Sequence, residues 1–306
     1  MSALTRTRLF LRAKKAFTAD VRRDLGALRR DLSTAQGELN DTRSELTTLR
    51  RSSYALKLLV DSTGRGNHRM PDAAQMDTLV REIAAIVQNE ALARRNATVA
   101  YRNVVALEAL GVGRLAGGTS NVCGKLATIP LLDPPNADVL EIGTLYGMFA
   151  AALSRMLHRS GIEPRLTIVD PLAGSQLQPG TSSWNDATGT PVREDVVRAN
   201  LLLGGGRPGA EARIQQGFSG DPEVRAAVAD RKYGVIIVDG DHSFEGVAAD
   251  LEWVEEIVAP GGIVVLDDCG DPNWAGVSEA LEKHLAGDTR LELVGQVATS
   301  AFLRAR

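Results

Sequence analysis

Two short stretches concentrate the side chains able to do chemistry. The run Tyr233-Gly-Val-Ile-Ile-Val-Asp-Gly-Asp-His-Ser-Phe-Glu-Gly-Val places Asp239, Asp241 and His242 directly after an apolar segment. The run Pro260-Gly-Gly-Ile-Val-Val-Leu-Asp-Asp ends in Asp267 and Asp268. Short apolar runs closed by acids read as buried strands of a parallel sheet, whose ligands gather outside the carboxyl ends of the strands. Asp239, Asp267 and Asp268 are therefore expected to converge. Three carboxylates at one point need a cation, and oxygen ligands suit Mg²⁺, or Mn²⁺ in its place. Successive strand residues face opposite ways, so one of the Asp267–Asp268 pair can instead lie behind the other or cap the next loop. Asp241 is open to orienting the imidazole, binding substrate or capping the following helix.

A second group suits an adenosyl cofactor. Val139-Leu-Glu-Ile-Gly-Thr-Leu-Tyr-Gly passes directly into a helical run, Met148–Leu157. It resembles the methyltransferase glycine motif, in which an acid ends the strand and glycines admit the ligand to the backbone. A plain tight turn would also use those glycines. The next strand ends in Asp170, placed to accept both ribose hydroxyls, while Glu141 would face the cationic methionine end. After the third strand, Gly217 leads to Phe218, which can stack on adenine or join the core, and Ser219, which can bond the ring edge. Glu141, Gly143, Thr144, Tyr146 and Gly147 thus form one half of the expected cofactor set. Asp170, Gly217, Phe218, Ser219 and Asp239 form the other. The spacing GxxxG departs from the GxGxxG of dinucleotide dehydrogenases.

The stretch from Asp239 closely resembles the "DGDHSYEGVxxDL" signature of a class I S-adenosylmethionine-dependent methyltransferase family whose members act on small molecules and sugars. The resemblance covers about residues 130–290. Phe244 replaces the usual Tyr, which removes one hydroxyl from the pocket. The constellation is similar to that of metal-dependent macrolide-sugar O-methyltransferases, and this similarity implies that His242 is the base. A neutral imidazole near the operating pH, with metal polarisation, suits a sugar hydroxyl of very high pKa. Capping or packing beside the next helix is the plainer role for His242.

Beyond residue 137 the strand-like runs Asp138–Ile142, Leu166–Val169, Ala212–Gln215, Gly234–Val238 and Gly262–Leu266 alternate with helical runs. This implies an α/β fold with a parallel sheet between helices. Leu291–Gln296 and Thr299–Arg304 are close enough to pair antiparallel. The expected architecture is thus a Rossmann-like, seven-stranded class I methyltransferase sheet with a C-terminal antiparallel hairpin, at residues 116–306. Helical stretches near 72–94 and 97–111 are expected as a neck or lid at 61–115. Trp184, in the long loop Gly174–Pro191, is placed to close over substrate and Trp274 to face the same pocket, with simple packing the alternative for each. His68 and His284 read as solvated.

Residues 1–60 read as a basic leader and a coiled-coil arm. From Val21 apolar positions step by four and three, and with Leu25, Leu32, Leu39 and Leu46 at a, the g positions are Asp24, Asp31, Glu38 and Glu45. The e positions are Arg29, Gln36, Arg43 and Arg50, which suits parallel self-association. An amphipathic helix folded on its own body is the alternative.

A net charge of −3 gives no reason to expect nucleic acid as partner. Two distant cysteines support neither a disulfide framework nor a zinc site and fit a cytoplasmic setting. The basic leader can touch an anionic membrane, but a solvated charge run is the simpler reading. The expected function is O-methylation of a sugar or glycosylated small molecule. Rivals are phenolic O-methylation, an NAD-dependent oxidoreductase, and a scaffold with a degenerate cofactor domain.

Overall fold

The computed structural model describes residues 3–60, 71–178 and 189–306, and the chain forms two compact units, Met1–Leu56 and Lys57–Arg306. Helix α1 (Ala3–Val60) begins well before Val21, so leader and heptads share one helix. Leu25, Leu32, Leu39 and Leu46 are each between 45% and 59% exposed along it.

The second unit is built on a seven-stranded sheet of order β3-β2-β1-β4-β5-β7-β6. The strands are β1 (Asp138–Ile142), β2 (Arg165–Asp170), β3 (Arg213–Gln216), β4 (Tyr233–Val238), β5 (Val258–Leu266), β6 (Leu291–Val297) and β7 (Ser300–Ala305). The first five run parallel, and β7 lies antiparallel between β5 and β6. This is the expected class I methyltransferase sheet with its C-terminal hairpin.

The side-chain period of two divides each central strand between two cores. Val139, Val235, Ile237, Ile263 and Val265 pack on one face with α4 (Thr119–Thr128), α5 (Met148–Arg159) and α6 (Glu194–Ala210). Leu140, Ile142, Ile236, Val238, Val264 and Leu266 face α7 (Pro222–Val228), α8 (Phe244–Ile257) and α9 (Ala275–Ala286).

The expected neck contains α2 (Ala73–Val87) and α3 (Glu90–Leu110). Their buried Leu79, Ile83, Ala97, Val104 and Leu107 belong to the first core, so these helices are a layer of the body. The break between them falls earlier than the sequence suggested. Asn89 accepts the Leu92 amide and caps α3, while Gln88 takes the left-handed turn that ends α2.

Candidate active site

Parity decides which acids meet. Glu141, Asp239 and Asp267 share the phase of Val139, Ile237 and Val265, so all three turn toward the α4 side. The ladder continues past the strand ends, with Asp239 N donating to Ile142 O at 2.9 Å and Asp267 N to Val238 O at 3.0 Å. Asp268 should point away, but its backbone turns left-handed at φ 54. That turn brings Oδ2 to 3.6 Å from His242 Nε2, and Asp239 Oδ1 stands 3.5 Å from the same nitrogen. Burial and the Asp267 and Asp239 charges push the Asp268 carboxyl up to about 7.

A cavity of about 610 Å³ opens at these strand tips, within the usual size of a small-molecule site. Glu141 lies in its wall, 3% exposed, with Oε2 unpartnered. Burial, with help from Asp239 and Asp170, pushes its carboxyl up to about 8 although Thr144 and Lys125 act the other way. A buried acceptor awaiting a cation fits the amino end of an adenosylmethionine donor. Gly143, at φ 83, is required here: a Cβ would lie 2.0 Å from Asp239 O.

The Asp170 carboxylate pins the glycine loop. Oδ2 accepts the Thr144 and Leu145 amides at 2.7 and 3.1 Å, and Oδ1 accepts that of Leu172 at 2.8 Å. Of roughly four carboxylate acceptor positions, about one remains for a ribose hydroxyl rather than the two expected. Gly217, Phe218 and Ser219 line the cavity, and Phe218 is 56% exposed, so the ring is not part of the core. Tyr146 departs from the cofactor set. It is buried in the first core with its hydroxyl donating to Thr190 O at 2.8 Å, and it does not line the cavity. Gly147, at φ 76, caps α5 instead of lining the cavity.

His242 lines the cavity, and neither ring nitrogen has a hydrogen-bond partner among the described residues. Its ring lies tilted against Trp274, centroids 4.8 Å apart, so Trp274 backs the imidazole. Burial opposes protonation, but Asp239 and Asp268 outweigh it and raise the imidazole above its ordinary range. Asp241 accepts the Ser243 amide at 2.8 Å, and Ser243 caps α8. The capping turn is thus its observed contact, with no hold on the imidazole. His284 is not solvated: it pairs with Glu255 at 3.0 Å. Trp184 and His68 lie outside the described residues.

The expected metal set, Asp239, Asp267 and Asp268, does not fit a divalent ion as arranged. Asp267 Oδ2 is 2.5 Å from Lys125 Nζ, while Oδ1 accepts Asn121 Nδ2 and Ser300 Oγ at 2.8 Å each. Neither Asp267 nor Asp268 lines the cavity. Among the described residues no group of three or more His, Cys, Asp or Glu is placed to hold a metal ion. Burial works against the Lys125 ammonium, yet Asp267 and Asp239 keep it charged well above the ordinary lysine range.

Sequence reasoning missed Lys125 and Asp250. Lys125 is the one charged residue of α4, and that isolation was the available signal. Asp250, inside α8 and 1% exposed, lines the cavity with Oδ2 unpartnered, and burial pushes it up to about 6 against Ser219 and Arg225.

Residues 140–269 match the family described as a methyltransferase domain. No curated protein matches the sequence. Among solved structures, the O-methyltransferase NovP is 18% identical with a TM-score of 0.48, covering 61% of this chain and 80% of that one. An O-methyltransferase from Bacillus cereus in complex with SAH is 14% identical, TM-score 0.43, covering 82% and 97%. CalS11, a TDP-rhamnose 3'-O-methyltransferase, is 17% identical, TM-score 0.41, covering 77% and 96%. The methyltransferase-domain match at 140–269 falls within the α/β body, whose strand order is that of the class I methyltransferase fold.

Proposed function

We propose that the protein is an S-adenosylmethionine-dependent O-methyltransferase acting on a hydroxyl of a sugar or glycosylated small molecule. The observation that carries this is the buried, unpartnered Glu141 Oε2 in the same cavity as His242. Glu141 and the Gly143 turn would hold the cationic end of the donor, and Phe218, Ser219 and Asp250 the adenosine end.

The donor supplies a sulfonium methyl carbon open to attack by an oxygen lone pair. The C–S bond breaks toward sulfur, leaving a neutral thioether, and the hydroxyl proton must leave the acceptor. In its neutral form His242 accepts that proton at a ring nitrogen, and Asp239 and Asp268 stabilise the imidazolium from 3.5 and 3.6 Å. Trp274 holds the ring in place. Low aromatic content, 4% of the chain, favours a sugar over a catechol acceptor. Calorimetric titration with S-adenosylhomocysteine and with NAD, then a methyl-transfer screen over sugars and phenols, tests the reading. Binding of NAD in place of S-adenosylhomocysteine refutes it.

We further propose that α1 pairs with α1 of a second copy. The exposed a-position leucines support this, as do the acidic g positions and the three arginines among the four e positions, which would meet across a parallel seam. A cytoplasmic setting fits the cysteine usage. Among the described residues no helix is long and apolar enough to cross a membrane.

A further inference from the structure

Adjacent strand tips bearing carboxylates on one face create a charge problem that a bound cation usually solves. Asp239 and Asp267 stand in that relation, each directly following one of the paired strand-end residues Val238 and Leu266 of β4 and β5. A lysine reaches both. Lys125 Nζ lies 2.5 Å from Asp267 Oδ2 and 3.5 Å from Asp239 Oδ2, with the Phe149 ring centroid 4.8 Å away. Its side chain is 2% exposed, and α4 carries it in a fully buried segment. Asn121, one turn earlier on α4, and Ser300 on β7 take the other Asp267 oxygen. A metal bound to Asp267 Oδ2 at about 2.1 Å would sit within about 4.6 Å of the ammonium. Two cations at that separation in a dry site repel strongly.

We infer that Lys125 is the resident cation of this site: a tethered ammonium occupies the place of a divalent ion, and the chain works without metal. The inference rests on the methyl-transfer reading only for its activity readout. Lys125 is a positioning residue here. It neutralises Asp267, holds Asp239 at the cavity wall beside His242, and leaves proton removal to the imidazole. A single positive charge balances the pair only in part, so the carboxylates keep enough negative character to stabilise the imidazolium that forms when His242 takes the acceptor proton.

The test is a Mn²⁺ titration of the full chain followed by electron paramagnetic resonance of the free ion. Wild type is expected to leave the free-ion signal at its buffer level, and its methyl-transfer rate is expected to be unchanged by EDTA. Lys125→Met keeps the aliphatic stem and removes the charge. It is expected to raise Mn²⁺ affinity at least about tenfold, with the gain lost again when Asp239→Asn is added. Wild type that takes up one Mn²⁺ per chain and releases it on Asp267→Asn overturns the inference. So does a folded Lys125→Met chain that gains no Mn²⁺ affinity. Should Lys125→Met not fold, the wild-type titration decides the matter alone. A chain that transfers no methyl group to any acceptor counts against the proposed function, whereas the Mn²⁺ readout stands apart from it.

Discussion

Replacing Glu141 by Gln should make the ligand-free protein more stable and the binding site worse. In the folded chain burial pushes this carboxyl from 4.5 up to about 8. The sign follows from proton counts: between those values the folded state holds a proton that the unfolded state has lost. Stability from the protonated form is therefore fully present below pH 4.5 and is lost as pH rises through about 8. Each pH unit in that window takes about 1.4 kcal/mol, so at pH 7 wild type has lost about 3 kcal/mol. Gln keeps the shape of the neutral acid and cannot ionise when unfolded. Glu141→Gln should then melt roughly 6 to 12 °C higher than wild type at pH 7, with the two curves converging toward pH 4.5. Scanning calorimetry across pH 4.5 to 9 measures this. In parallel, S-adenosylhomocysteine should bind wild type more tightly as pH rises through 8, and the variant more weakly and without that slope. A variant that melts no higher than wild type at pH 7, or binds the ligand equally well, refutes the burial argument.

Other outcomes follow from the same geometry. His242→Asn should lower kcat by about 10² to 10⁴ while leaving S-adenosylhomocysteine affinity in a calorimeter unchanged; full activity would remove the base. Gly143→Ala should abolish ligand binding and lower the melting temperature, because its Cβ meets Asp239 O at 2.0 Å and φ is 83. Asp250→Ala should weaken S-adenosylhomocysteine binding with little effect on kcat at saturating donor, as separate KM and kcat measurements would reveal. Leu32→Lys with Leu39→Lys should turn an associated species into a monomer by light scattering, leaving the methyl-transfer domain folded by circular dichroism.

The sheet was legible because its signal is local. Apolar runs such as Val235–Val238 and Ile263–Leu266 can be buried on both faces only as central strands, and the acids that close them mark their carboxyl ends. The alternation along β4 and β5 also aims Asp239 and Asp267 at the same face. What the sequence withheld was tertiary. Nothing local ties Lys125 to Asp267, or Asn121 to Ser300, because their meeting depends on how α4 lies across the sheet. The same holds for Tyr146, whose place in the glycine loop suggested a ligand contact while the fold turned its ring into the core. Asp268 shows a third kind of failure. Strand parity sends it away from the imidazole, and only a left-handed backbone step, which the sequence did not announce, returns it.

The clasp around Asp267 joins residues 121, 125, 267 and 300, so it draws on both ends of the body. A ribosome must therefore deliver Ser300 before Asp267 can be fully held, although the cavity's glycine loop was synthesised long before. During synthesis the donor pocket would take shape around an acceptor end still lacking its last brace.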